Sequence, residues 1–139
     1  MNRRRREKAA KRLVLAAMVG EPAVVRRLLR AGASPEASDR DGMTALYAAA
    51  VHGDAASVRL LLEAGAAPDR ESAGEGSEGT PLCAAASWGH ADVVRELLAH
   101  GADPTLREDG GTGLTPLEWV RRQPDPHPET EALLSGQIR

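Results

Sequence analysis

The sequence predicts an all-α fold, a solenoid of about four stacked helix pairs joined by short outward β-hairpin or loop segments. Three observations lead to this prediction. The composition is rich in alanine and leucine, with no Phe, one Tyr and two Trp, whereas a sheet favours β-branched and aromatic residues. One pattern of residues returns after 33 or 36 positions, and each copy carries apolar residues at helical spacing.

The size and composition indicate one compact domain. The chain has 139 residues, 42% hydrophobic and 27% charged, which is too apolar for a disordered protein. The single cysteine, Cys83, cannot form an intramolecular disulfide, and no apolar run approaches the ~20 residues that span a bilayer. Leu13–Gly20 resembles the apolar part of a signal peptide only superficially, because it fits the repeat. We expect a cytoplasmic monomer that does not bind membranes.

Two series of glycines fix the register of the repeat. The glycine predicted to end the first helix of each unit recurs at intervals of 33 and 36 residues, as Gly20, Gly53 and Gly89. The glycine predicted to end the second helix recurs at the same intervals, as Gly32, Gly65 and Gly101. Leu133 and Leu134 mark a fourth, irregular copy. This regularity predicts units that stack on their neighbours.

Each unit after the first begins with a predicted helix cap. Thr44, Thr80 and Thr115 precede short alanine-rich segments, where a hydroxyl can accept from an orphan backbone N–H. Pro81 and Pro116 then fall at the first helical position, where a missing N–H has no cost. A second helix carries Val and Leu at i, i+3 and i+4 spacing. Polar segments then project outward before the next threonine.

These motifs resemble those of ankyrin-repeat proteins over about residues 9–135. The likeness lies in the Thr-Pro-Leu elements at 80–82 and 115–117, in Thr44-Ala45-Leu46-Tyr47, and in residues 89–94 and 100–104. The family's histidine is replaced by Tyr47, Cys83 and Glu118. Its usual hydrogen bond between neighbouring turns is therefore absent or rebuilt.

The predicted organisation is a single domain with atypical terminal repeats, each of which has one side facing water. A basic arm continues into the first helix, and three further units follow a capping repeat. The predicted bounds are 1–12 for the arm, 9–37 for the N-terminal capping repeat, 38–70 for repeat 2, 71–107 for repeat 3 with its lengthened loop, and 108–139 for the irregular C-terminal capping repeat.

The residue patterns do not favour an enzyme. No pair among the four His has a helical i, i+4 metal spacing, and Cys83 is alone. The sequence has neither a Gly-x-Ser-x-Gly elbow nor a Walker-type phosphate loop. The glycine-rich stretch 72–79 is acidic and would repel phosphate, so it is a flexible loop or a segment that contacts a partner. We expect no catalysis, cofactor or metal, and a structural hydrogen bond from His90.

The resemblance implies a binding module that presents a concave face to a protein partner, as an adaptor, scaffold, or regulatory or inhibitory subunit. Family contact residues lie before each threonine and between each Ala-Ala and the next glycine. Carried over to this chain, the partner-binding residues are Arg40, Asp41, Met43, Val51, His52, Glu78, Ser87, Trp88, Leu114, Arg122 and Gln123. Trp88 is the expected anchor, because binding hot spots favour Trp; structural packing is its alternative role. Trp119 is expected to face the core.

The basic start of the chain is a rival signal. Residues 1–12 carry seven Lys or Arg against Glu7, although the net charge is −2. The arm residues are Arg3, Arg4, Arg5, Arg6 and Lys8. They suit phosphates, an anionic surface or an acidic protein, or simply a solvated helix start. Few aromatic residues are available for base stacking, so binding of nucleic acid or another anionic surface is the alternative function.

Overall fold

The computed structural model describes residues 2–74 and 78–136, and Met1, residues 75–77 and residues 137–139 lie outside it. The predicted arm, the lengthened loop of repeat 3 and the C-terminal repeat are therefore described except at those positions. The helices are α1 (Arg3–Val19), α2 (Pro22–Arg30), α3 (Ala45–His52), α4 (Ala55–Glu63), α5 (Pro81–Ser87), α6 (Ala91–Ala99), α7 (Glu108–Gly111), α8 (Pro116–Arg122) and α9 (Pro128–Leu134).

The helices stack as four pairs, so the predicted all-α solenoid is confirmed. The pairs are α1/α2, α3/α4, α5/α6 and α8/α9. The first helices contact one another in the order α1, α3, α5, α8, and the second helices in the order α2, α4, α6, α9. In the described part of the chain, β pairing is limited to two isolated antiparallel bridges, Ser38 with Thr44 and Ser72 with Gly79. None of the described helices is long and apolar enough to cross a membrane.

Threonine hydroxyls begin three of the first helices, as the sequence predicts. Each accepts a hydrogen bond of 3.1–3.2 Å from the backbone N–H three residues later, and these caps are Thr44, Thr80 and Thr115. Gly20 and Gly53 end α1 and α3 in the left-handed conformation. In the third unit, α5 ends one residue earlier than predicted, so that Trp88 is its C-cap residue and Gly89 follows.

Small residues form the contact between the first helices. Ala17, Ala49, Ala50, Ala85 and Ala86 are completely buried, and a side chain with a single methyl group lets neighbouring helices approach closely. The second helices bury Val and Leu side chains, and Val25, Val58, Leu61, Val94 and Leu97 are also completely buried. Each pair therefore buries its apolar side against its neighbours.

Two histidines pack beneath glycines of the preceding repeat. The His90 ring has Nε2 2.9 Å from the carbonyl oxygen of Val51, which confirms the expected structural hydrogen bond. A Cβ atom at Gly53 would lie 2.8 Å from Nδ1 of the same ring. His127 lies under Gly89 in the same way, with its Cε1 2.5 Å from the position of such a Cβ. These close approaches require glycine at the helix ends.

Gly53→Ala should destabilise the fold more than Gly20→Ala. The two glycines have nearly equal φ values of 72° and 74°, so an alanine meets the same backbone strain of about 1–2 kcal/mol at either site. Only at Gly53 does the added methyl group also meet the His90 ring, which should add about 1 kcal/mol or more. Urea unfolding of both variants measures the difference.

The His90→Ala background provides the control for this comparison. Removal of the ring should reduce the cost of Gly53→Ala to that of Gly20→Ala. An unchanged cost in that background would show that the contact between Gly53 and His90 does not matter.

Candidate functional site

The outward segments hold one another in a row beside the first helices. The backbone N–H of Thr44 donates to Oγ of Ser72 at 3.2 Å, and the N–H of Ala73 donates to the carbonyl of Gly42 at 3.1 Å. A Cβ atom at Gly42 would lie 2.8 Å from that of Ala73. The segments before α3 and α5 are therefore fixed to each other and form part of one surface.

A buried glutamate joins the outward segment before α5 to the last repeat. The Glu108 side chain accepts a 2.7 Å hydrogen bond from Nε1 of Trp119 and lies directly over Gly79. Its backbone N–H donates to the carbonyl of Leu114 at 3.2 Å. The sequence does not mark Glu108 as a buried residue, because one acidic residue in a polar, glycine-containing segment gives no sign of burial. Trp119 is half-buried and uses its indole N–H in this contact.

Burial controls the ionisation of the groups around Glu108. Desolvation raises the pKa of Glu108, against the hydrogen bond from Trp119 that lowers it. Burial also raises the pKa of Cys83 to about 12, so its thiol stays protonated at neutral pH and is a poor nucleophile. The pKa of Tyr47 is raised by burial and then by the charges of Glu108 and Glu78.

Two of the residues in the place of the family's histidine make new hydrogen bonds. Cys83 donates from Sγ to the carbonyl of Leu114 in the next repeat, at 3.7 Å. Glu118 accepts from the backbone N–H of Thr115 at 3.3 Å and completes a capping box. The link between neighbouring repeats is thus rebuilt at Cys83, while at Glu118 the bond stays within one repeat.

Trp88 is the most exposed of the large hydrophobic side chains in the described structure, at 63%. Met43 and Val51, two apolar residues of the predicted contact set, are half-buried and pack against the core. Trp88 therefore offers most of the apolar surface among these three residues. The predicted contact residues with charged or imidazole side chains are all exposed: Arg40, Asp41, His52, Glu78 and Arg122.

Ser87 and Gln123 bond to each other across neighbouring repeats. The Gln123 side chain donates from Nε2 to Oγ of Ser87 at 3.2 Å and to the carbonyl of Trp119 at 3.3 Å. Leu114 is half-buried, and its carbonyl accepts from Glu108 and Cys83. These three predicted contact residues therefore also hold the last repeats together. Residues 75–77 of the acidic stretch 72–79 lie outside the described residues.

The basic arm is the beginning of α1. The Asn2 side chain caps this helix by accepting from the N–H of Arg5 at 3.0 Å, and Arg3 pairs with Glu7 at 3.0 Å. A cleft of about 1130 Å³ separates this part of α1 from residues 38–41. The helix lines it with Arg3, Arg4, Glu7, Lys8 and Lys11, and the outward segment with Ser38, Asp39, Arg40 and Asp41. Arg5 and Arg6 are exposed but do not line this cleft.

The stacked helix pairs and the row of outward segments define a repeat protein with an extended surface. A sequence model of ankyrin repeats matches residues 13–119 in three copies. Because the match covers more than half of the chain, the protein belongs to the ankyrin-repeat family. Repeats of this family generally mediate protein–protein interaction and are non-catalytic. No curated protein matches the chain in a sequence comparison. No group of three His, Cys, Asp or Glu that could hold a metal ion occurs in residues 2–74 and 78–136.

Glu108→Gln should change stability in a pH-dependent way. The pKa of Glu108 is raised in the folded state above its ordinary value of 4.5, so the folded protein gains protons, and stability, as the pH falls through that raised value. The variant lacks this gain. Its stability relative to the unmodified protein should therefore decline from neutral pH until about pH 4.5, as measured by urea unfolding.

Glu118→Gln is the control with the opposite sign. Hydrogen bonds from Thr115 lower the pKa of Glu118 below 4.5, so the unmodified protein loses stability as the pH falls below that value. The relative stability of this variant should increase on acidification. The same pH slope for both variants would contradict the assignment of Glu108 as a carboxylate that burial destabilises.

Proposed function

We propose that the protein binds a protein partner non-covalently through the concave face formed by the first helices and the outward segments, with Trp88 at its centre. The observation that carries this proposal is the exposure of Trp88 at the end of α5. An indole left in water loses the benefit of burial, about 25 cal/mol per Å² of apolar surface. A partner that covers this side chain recovers that free energy.

The fixed outward segments support the proposal. Because the bonds of Ser72 to Thr44 and of Ala73 to Gly42 hold neighbouring segments together, little ordering is left for the binding step. A preformed surface loses less conformational entropy on association. We infer a rigid face that selects a partner by shape and charge.

The charged and imidazole side chains among the predicted contact residues suit a polar rim. Arg40, Asp41, His52, Glu78 and Arg122 are exposed and carry both signs of charge. Interfaces commonly combine an apolar centre with such a rim. Four repeats offer a modest area, about 800 Å² per partner or less. The role as adaptor, scaffold, or regulatory or inhibitory subunit belongs to this proposal; the cytoplasmic location and the monomeric state stay predictions.

A second candidate function rests on α1. Arg3 to Arg6 and Lys8 are all exposed on its first turns, and a cluster of cations can bind nucleic acid or another anionic surface. Such binding depends on counterion release and weakens steeply with salt. In this alternative, the stack of repeats would only carry the cationic helix.

Trp88→Ala should weaken capture of the partner from a lysate of the source cells. Truncation of a central aromatic residue costs about 2 kcal/mol or more, which is about 30-fold in affinity. Trp88→Phe keeps an aromatic ring and should retain part of the binding. Quantitative mass spectrometry of proteins captured on each variant gives the measurement.

Two further baits separate the candidate functions. Arg27 lies on α2, the second helix of repeat 1, so Arg27→Ala should capture the partner as the unmodified chain does. Replacement of Arg3–Arg6 by Ala tests the cationic helix. If capture survived Trp88→Ala but disappeared with the α1 variant and in moderate salt, the second candidate would replace the first.

A further inference from the structure

We propose that the cleft between α1 and residues 38–41 binds an acidic segment of the protein partner. The inference rests on the proposed function, because it adds a partner chemistry to the same side of the molecule. Arg40 and Asp41, predicted contact residues, line the cleft together with the start of α1. The cationic helix and the outward segment are therefore two walls of one site.

Three cations of α1 face the cleft with their charges unused. Arg4, Lys8 and Lys11 follow one another at i, i+4 and i+7, so they share one side of the helix. Among the described residues no carboxylate forms an ion pair with any of these three. Arg3 differs, since Glu7 neutralises it at 3.0 Å. The helix wall is therefore ready to accept anionic groups.

The carboxylates of the opposite wall offset only part of these charges. Oδ1 of Asp39 accepts from the backbone N–H groups of Asp41 and Met43, both at 3.0 Å, so this carboxylate is engaged in its own turn. Arg40 adds a further cation from the same segment. The lining holds five Lys or Arg against three Asp or Glu, which gives the cleft a positive balance.

The cations in the first turn of α1 also favour an anionic ligand. The first turn of α1 contains Arg3–Arg6 and no acidic residue. The amino end of a helix carries a partial positive charge, where acidic residues stabilise and basic residues destabilise. A local arrangement that opposes folding in this way is expected at functional sites. An acidic segment bound in the cleft would reduce the repulsion between these arginines and the positive amino end of the helix.

The chemistry of the lining favours a peptide over nucleic acid. Glu7, Asp39 and Asp41 interrupt the cationic surface and would repel a continuous phosphate backbone. No aromatic residue lines the cleft, so bases would have no stacking platform. Individual Asp or Glu side chains of a partner can reach Arg4, Lys8 and Lys11 between these carboxylates. At Arg4 the carboxylate can accept two parallel hydrogen bonds from the guanidinium group.

Two variants of equal charge test the proposal. Arg4, Lys8 and Lys11 are replaced by Gln in the cleft variant, and Arg5, Arg6 and Arg12, which are exposed and do not line the cleft, in the control. The probe is a short fluorescent oligo-glutamate peptide, and its anisotropy gives the affinity. Loss of three charge contacts should weaken binding about tenfold or more in the cleft variant. The control should stay within about twofold.

Two results would overturn the proposal. Equal weakening in both variants would mean diffuse attraction to the helix without a site. Tighter binding of an oligothymidylate of equal charge, lost in both variants, would assign the helix to nucleic acid. Arg40→Gln lies outside α1 and should also weaken binding of the peptide, so the test does not depend on the fold of the α1 variant, which circular dichroism checks.

Trp88→Ala separates this inference from the proposed function. This variant should bind oligo-glutamate as the unmodified chain does, because Trp88 does not line the cleft. If Trp88→Ala bound oligo-glutamate normally and still captured the partner fully, the proposed peptide site in the cleft would be supported and the proposed role of Trp88 would be wrong. If Trp88→Ala lost capture of the partner and the unmodified chain did not bind oligo-glutamate, the proposed binding face would be supported and the peptide site in the cleft would be contradicted.

Discussion

The packing of each repeat on its neighbour is the constraint on which the structure depends. A single helix pair cannot bury its apolar side alone, and here Ala49, Ala50, Ala85 and Ala86 let α1, α3 and α5 approach closely. The same stacking sets the spacing of the outward segments, which then bond to each other through Ser72. The surface that we assign to binding is therefore a consequence of the core.

The sequence predicted those features that depend on local chemistry. The caps at Thr44 and Thr80 and the helix ends at Gly20 and Gly53 each need only a few neighbouring residues, and all four were predicted. Glu108 was missed because its burial depends on Trp119 and Gly79, which the chain brings together only in the folded state. The packing of His127 under Gly89 was missed for the same reason.

The candidate site could be predicted only in part. The register of the repeats placed Trp88 among the predicted contact residues, and the exposure of its side chain agrees with an anchoring role. Register did not reveal that Ser87 and Gln123 bond to each other, since their distance depends on how α5 and α8 stack. The repeat register also does not divide the basic start of the chain, whereas the helix turns Arg4 and Lys8 toward residues 38–41 and leaves Arg5 and Arg6 outside this cleft.

Hydrogen–deuterium exchange of the chain, alone and with the captured partner, tests the concave-face account most directly. Backbone groups covered by a partner exchange more slowly. We expect added protection at residues 38–44 and 78–88 and at the start of α1, with the second helices α4 and α6 unchanged. Protection confined to α4 and α6, with no change around Trp88, would place the partner on the opposite side of the stack and contradict the account.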